Sequence, residues 1–167
     1  MHTIREAAVS DAEKINEVTK KSFSLYRDEL HSSAPVKALD ETVETVINDI
    51  ENNRVFVAQS DGKILGSIRY TALSKELAYI YRFGVDPAIN NTGIGSDLLK
   101  TVITECTAKG FKAIALHTNA KYYKLARYYY GKQFFVHSTT TDKGYIRALF
   151  IKELSAEQYD VSPAFLK

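Results

Sequence analysis

Between Arg54 and Val85 the sequence settles into a period of two, and that stretch narrows the fold more than any other. The runs "RVFVAQS" (54–60) and "KILGSIRYTAL" (63–73) flank Asp61-Gly62. Aspartate and glycine tolerate the positive φ of a two-residue turn, so the runs are expected to pair as a hairpin. "LAYIYRFGV" (77–85) is a third consecutive strand, rich in aromatic and branched side chains, and Asp86-Pro87 ends it. Three strands of antiparallel character in a row do not suit a chain that opens on a dinucleotide-binding βαβ unit.

The flanks mix helices and strands. "HTIREAA" (2–8) alternates and reads as a first strand. Ser10 or Asp11 offers an N-cap to a helix whose apolar face holds Ile15, Val18, Phe23 and Tyr26. "HSSAPVK" (31–37) is a polar break, and a second helix is expected over 39–52 with apolar positions at 43, 46, 47 and 50. After Gly93, a helical face of Leu98, Leu99, Val102, Ile103 and Cys106 runs to a stop at Gly110. A strand over 111–118, a helix over 120–132 and a hairpin of 134–140 with 145–154 follow, turning at Asp142-Lys143-Gly144. The tail 155–167 shows no pattern. The order β-α-α-β-β-β-α-β-α-β-β gives an α/β chain of α+β character with a mixed sheet. No linker or repeat interrupts it, so a single domain over 1–167 is expected.

Composition excludes several function classes. Of 167 residues, 45% are apolar and 25% charged, an ordinary globular balance. The net charge is only +2 with the basic residues dispersed, which gives no nucleic-acid footprint. No apolar run is long enough to span a membrane, and "MHTIREAAVS" lacks the core of a signal peptide. The single cysteine, Cys106, excludes an internal disulfide and a cysteine-based zinc site. The expectation is a soluble, cytoplasmic protein with no nucleic-acid, membrane or metal partner; a homodimer is left open.

The chemistry centres on "NNTGIGSDLL" (90–99). The first N–H groups of a helix have no internal acceptor, the dipole there favours negative charge, and glycine admits a phosphate close to the backbone. A glycine-lightened helix start reads equally well from these residues alone. A dinucleotide loop needs a third glycine where Leu98 stands, and a Walker loop needs a Gly-Lys-Ser/Thr that the chain lacks.

The wider stretch "FGVDPAINNTGIGSDLL" (83–99) resembles the coenzyme-A signature of the GNAT superfamily of acetyl-CoA-dependent N-acetyltransferases: a strand ending in valine, then x-Pro, then Arg/Gln-x-x-Gly-x-Gly/Ala opening a helix. Val85, Pro87, Gly93, Ile94 and Gly95 match it; Asn90 stands where Arg or Gln is usual, and Asn91 where glycine is frequent. "ARYYYGKQFFV" (126–136) is similar to the family's later segment, Ala-x-x-(Leu/Phe)-Tyr-x-x-x-Gly-Phe, with Ala126, Tyr129, Tyr130 and Phe135 in register. Phe134 replaces the usual glycine, and Gly131 is expected to supply the helix C-cap instead. The element order matches the family over residues 2–154.

The resemblance implies the acyl-CoA N-acyltransferase fold, with the strands 77–85 and 111–118 parallel and splayed. It implies that acetyl-CoA is the co-substrate, with its pyrophosphate on Asn90, Asn91, Thr92, Gly93, Ile94, Gly95 and Ser96, and its pantetheine along Phe83, Gly84 and Val85. Gly84 suits a bulge or close ligand approach, or a packing gap against a bulky neighbour. The implied reaction is direct attack on the thioester by a primary amine of a small molecule or peptide, with Tyr130 as proton donor to the thiolate. On helical spacing Tyr129 packs with Tyr122, Leu125 and Ala126, while Tyr130 lies with Tyr123 and Arg127 on a neighbouring face; "YYY" as packing alone remains open. The family's strand glutamate is absent because positions 79 and 81 are both tyrosine, so the base is unassigned among water relayed by Tyr79, Tyr81 or His117 and an amine that arrives neutral. Glu76 and Asp86 read as turn residues. Acceptor choice is expected from 26–37, including Tyr26, Arg27 and His31, and from the last hairpin. Lys100, Lys109 and Lys112 either meet the outer phosphates or are solvated. The rival reading is a non-catalytic acyl-CoA-binding module.

Overall fold

The computed structural model describes residues 1–30, 33–89 and 91–167. Its strands and helices are β1 (Thr3–Glu6), α1 (Ala12–Leu30), α2 (Val43–Asn52), β2 (Arg54–Ser60), β3 (Lys63–Ala72), β4 (Leu77–Val85), α3 (Ile94–Ala108), β5 (Ala113–Asn119), α4 (Tyr123–Gly131), β6 (Phe135–Thr140) and β7 (Arg147–Glu153). The element order is the expected one, and the strands form a seven-stranded mixed sheet in the order β1-β2-β3-β4-β5-β7-β6. The chain divides into two compact units, residues 1–70 with 82–102 and residues 71–81 with 103–167, so that β4 contributes to both.

In the first unit β1, β2 and β3 pair antiparallel, with an irregularity at Ala58/Gln59. Asp61 (φ 49°) and Gly62 (φ 75°) both take the left-handed conformation that a tight hairpin of this twist requires. Ala12, Ile15, Val46, Val55 and Val57 form a buried core, against which Val43, Ile47 and Ile50 pack. This is the apolar spacing read for α2, but the helix starts at Val43 rather than 39. Thr42 caps it by accepting the Thr45 N–H, and Lys37–Asp40 forms a separate 3-10 turn. The start of α1 also differs from expectation. A 3-10 turn, Val9–Asp11, precedes it, and the N-cap of that turn is Ala8. Asp11 instead reaches back to the Ala8 N–H at 2.8 Å, as the third residue of a capping box does. Arg5 grips the same carboxylate at 2.7 and 3.0 Å and, by that bond first, holds it below the usual carboxylate range.

In the second unit β4 pairs parallel with β5 only from Leu77–Ala113 to Tyr79–Ala115, although both strands run on beyond it. The expected parallel pairing of these two strands is thus present over three residue pairs. β5 pairs antiparallel with β7 along its whole length, and β6 closes the edge with a bulge between Val136 and Ser138. Leu77, Tyr79, Ala113, Ala115, Leu149 and Ile151 share a buried cluster with Ala164, and Tyr159 and Val161 pack against it. The tail that showed no sequence pattern therefore covers this core, ending in a 3-10 turn with Pro at its start. Its one fully buried side chain is a methyl, too small to register as hydrophobic periodicity.

The end of α4 overturns the expectation for Gly131, which is still helical. The left-handed residue is Gln133 (φ 65°). The Gln133 N–H bonds the Tyr130 carbonyl and the Phe134 N–H the Tyr129 carbonyl, both at 3.0 Å, while the Phe134 and Tyr129 rings meet edge-on at 5.5 Å. This is a Schellman closure with its apolar contact, and it explains why phenylalanine stands at 134. Among the described residues no helix is long and apolar enough to cross a membrane.

Candidate functional site

In the first unit, the C-terminal half of β4 leads through a tight turn into α3. The Asp86 N–H bonds the Leu65 carbonyl at 2.8 Å, and a Cβ on Gly66 would lie 3.1 Å from the Gly84 carbonyl oxygen. At Gly84 itself a Cβ would lie 2.6 Å from the Ser22 Oγ of α1. Glycine at 84 is thus required by the packing of α1, the second of its two sequence readings. The left-handed residue of this strand is Arg82, with φ 49°. For a non-glycine residue that conformation costs roughly 1–2 kcal/mol. Asp86 is a turn residue as expected: its carboxylate accepts the Ala88 N–H at 2.9 Å and lies 3.6 Å from Lys21.

The loop before α3 curls through two left-handed residues, Asn91 (φ 65°) and Gly93 (φ 83°). A Cβ on Gly93 would meet nothing within 4 Å, so conformation rather than packing calls for glycine there. Asparagine is among the non-glycine residues that enter this region most readily, which accounts for Asn91. Thr92 Oγ1 donates to the Ile89 carbonyl at 2.8 Å, and Ile94 is buried, anchoring the turn. The first helical bond of α3 is Asp97 N–H to Gly93 carbonyl at 3.0 Å. The N–H groups of Ile94, Gly95 and Ser96 therefore have no acceptor within the helix, and Asn91, Thr92 and Gly93 beside them are exposed. Such an arrangement suits an anionic group. Asn90 and His31 lie outside the described residues.

Sequence reasoning missed a buried ion cluster beside this strand. Arg69 of β3 is 0% exposed; its Nη1 donates to Glu41 Oε1 and Asp49 Oδ2 and its Nη2 to Glu41 Oε2, each at 2.8 Å. Burial pulls the Arg69 pKa down, but the bonds and charges of Glu41 and Asp49 outweigh it and keep the guanidinium charged. Glu41 Oε1 also accepts the Arg82 Nε at 3.1 Å, and the Glu41 carbonyl accepts the Asn16 side chain of α1 at 2.9 Å. The available signal was an arginine inside the strand run 63–73, with one acid just before the second helix and another, Asp49, on it.

The second unit holds Tyr130 and His117. Tyr129 is 5% exposed and packs on Phe134 and Phe150, whereas Tyr130 is 56% exposed with its ring edge-on to Phe150 at 5.8 Å. Tyr123 and Arg127 are exposed with it, as helical spacing anticipated. Half-buried His117 shares a 2.8 Å hydrogen bond between its Nδ1 and the Tyr79 hydroxyl. Burial first, then the charge of Arg147, pushes its pKa down to about 4, so its ring is neutral at physiological pH. Glu76 is occupied by Lys112 at 2.7 Å, and Lys112 also meets Glu157 at 3.2 Å. Lys109 is exposed and pairs with Glu105 at 3.0 Å, and Lys100 is exposed too. Arg27 lies 3.1 Å from Asp28, and Tyr26 stacks edge-on with Phe23. Among the described residues no group of three His, Cys, Asp or Glu side chains is placed to hold a metal ion.

Comparison with known proteins gives these features a context. Residues 22–135 match the model of the acetyltransferase (GNAT) family, about two thirds of the chain. Among curated proteins, none matches this sequence. Among solved structures, the chain is similar to the PaiA N-acetyltransferase of Thermoplasma acidophilum in complex with coenzyme A. The TM-score is 0.79 at 19% identity, covering 92% of this chain and 99% of that one. It is also similar to the ribosomal-protein-S18-alanine N-acetyltransferase of Escherichia coli (TM-score 0.74, 17% identity, 96% and 99% covered). A third likeness is to the yncA protein of Salmonella typhimurium with its cofactor acetyl-CoA (TM-score 0.75, 16% identity, 96% and 98% covered). At these identities the structural likenesses establish the fold.

Proposed function

We propose that this chain, which belongs to the acetyltransferase (GNAT) family and is an acyltransferase, moves an acetyl group from acetyl-CoA to a primary amine of a small molecule or peptide. The observation that carries this reading is the turn into α3, where left-handed Asn91 and Gly93 precede three N–H groups with no helical acceptor. On this reading Asn90, Asn91, Thr92, Gly93, Ile94, Gly95 and Ser96 hold the pyrophosphate, largely through backbone donors that survive the change to asparagine at 90. Phe83, Gly84 and Val85 line the pantetheine arm. The whole chain acts as one cytoplasmic acetyltransferase domain.

The chemistry is direct attack in a ternary complex. An alkylamine with an ordinary pKa near 10.4 reaches the site mostly protonated and must lose a proton first. Its nitrogen then bonds the acetyl carbon as the carbon–sulfur bond breaks and Tyr130 donates its phenolic proton to the departing thiolate; the new amide nitrogen sheds its surplus proton, and the phenolate regains one, so the charges balance. The exposed position of Tyr130, beside a buried and packed Tyr129, supports this division of roles. His117 is poorly suited to hold the amine's proton, since a group with a pKa of about 4 releases it at once. With tyrosines at 79 and 81, we assign deprotonation to water or to an amine that arrives neutral.

Isothermal titration with acetyl-CoA tests the reading, and an absence of heat at millimolar ligand would sink it. Tyr130→Phe is expected to lower kcat about 100-fold with little change in coenzyme affinity; an unchanged kcat removes Tyr130 from the acid role. The lack of a strand carboxylate, with His117 held neutral, favours one rival, an acyl-CoA-binding module without transfer. Tight coenzyme binding with no thiol release across an amine library would establish that rival.

A further inference from the structure

Arg82 is an unusual residue to find in the left-handed region within a strand, because its Cβ crowds the following carbonyl and it lacks the short polar side chain that eases asparagine or aspartate into that conformation. It stands immediately before Phe83, Gly84 and Val85, the edge assigned above to the pantetheine arm. Its side chain is not idle. The Nε lies 3.1 Å from Glu41 Oε1, and the Glu41 side chain is 1% exposed while that of Arg82 is 27% exposed. Glu41 is itself immobile: Arg69 holds both of its oxygens, Asp49 shares Arg69, and Asn16 binds its carbonyl. A fixed, buried carboxylate thus meets the side chain of the left-handed residue of β4. On the other side of that residue, Gly84 is wedged against Ser22, so β4 is pinned two residues further along as well.

We propose that Glu41 and Arg82 are positioning residues for the coenzyme: Glu41, fixed by Arg69, grips Arg82 and holds the left-handed kink that sets the Phe83–Val85 edge. A left-handed residue interrupts the regular alternation of a strand and bends it. Without the grip, the strand relaxes toward extended geometry and the edge turns away from the shape that receives the ligand. This inference rests on the coenzyme reading of the site and adds to it the residues that preset its geometry.

The test separates the kink from the side chain. Arg82→Ala loses the grip yet still penalises positive φ, whereas Arg82→Gly loses the grip and removes the penalty. Both leave Glu41 paired with Arg69, so both are expected to fold. By isothermal titration, Arg82→Ala should weaken acetyl-CoA binding at least tenfold, and Arg82→Gly should recover at least threefold of that loss. Glu41→Gln should weaken binding in the parent but add little to Arg82→Gly. Amide hydrogen exchange at 83–85 in the ligand-free protein should rise in the alanine variant more than in the glycine variant, a readout independent of the coenzyme. Wild-type binding with equal losses in the two Arg82 variants, or with none, overturns the positioning role alone. No binding by the wild type overturns the coenzyme reading and this role together.

Discussion

Gly84→Ala offers the sharpest test of how β4 is seated. The new Cβ would lie 2.6 Å from Ser22 Oγ and 2.8 Å from Ser22 Cβ, with Phe23 Cε2 next at 3.7 Å. The hydroxyl can rotate away, but the Ser22 Cβ is fixed to the α1 backbone. Since carbon atoms settle at about 3.5–4 Å, one backbone must give by roughly 0.7 Å or more. Overpacking of this kind costs about 1–3 kcal/mol, and with rigid atoms on both sides the upper half, about 2–3 kcal/mol, is expected. Ser22→Gly removes both clashing atoms and by itself costs about 0.5 kcal/mol of helix propensity. The double variant should therefore lose no more than about 1 kcal/mol, a coupling near 2 kcal/mol. Urea unfolding of the four proteins measures it, with unchanged m-values required for the comparison. Additive losses would refute the contact as the reason for glycine at 84. Acetyl-CoA titration on the same set should follow stability, weakened in Gly84→Ala and restored in the double variant.

Other expectations reach different parts of the molecule. Arg69→Ala leaves Asp49 with the Asn53 amide and no cation, and Glu41 with Arg82, and a loss of about 3–5 kcal/mol in urea unfolding is expected; a loss under 1 kcal/mol, expected only of a surface pair, would contradict the buried cluster. Gln133→Gly relieves the left-handed residue after α4 and should stabilise by about 0.5–1 kcal/mol, a rise of roughly 2 °C in Tm; no rise means that the Schellman closure carries no strain at 133. His117, neutral in the fold with a pKa of about 4, takes up its proton more readily when unfolded, so it supports stability above about pH 6.5 and withdraws that support as pH falls toward 4. Discounted for solvent around a half-buried ring, the effect is about 2 kcal/mol. Unfolding at pH 7 and pH 5 should show a steeper loss for the wild type than for His117→Gln, and parallel losses would count against a buried neutral imidazole.

Much of the fold was legible because local chemistry repeats itself. The Asp61-Gly62 turn, the three strands around it, the stop at Gly110 and the inward face of α4 each follow from spacing or from φ tolerance within a few residues. The glycine turn was legible as a helix start for the same reason, but the left-handed conformation of Asn91, read only as a departure from glycine, came from the structure. Gly84 was open between two readings because a missing side chain does not say what it makes room for; Ser22, 62 positions earlier in the chain, decides it. Gly131 misled because the helix ran one residue further and closed on Gln133, with Phe134 folding back on Tyr129.

The sequence by itself determined the order of elements, the α/β class and the loop before α3, since periodicity and the conformational range of single residues act locally. Only the tertiary structure decided that Arg69 is buried between Glu41 and Asp49, that Arg82 bears the kink, and that the tail seats Ala164 in a core. Those outcomes depend on which distant charges and surfaces meet, and desolvation and packing are properties of the assembled neighbourhood rather than of any segment.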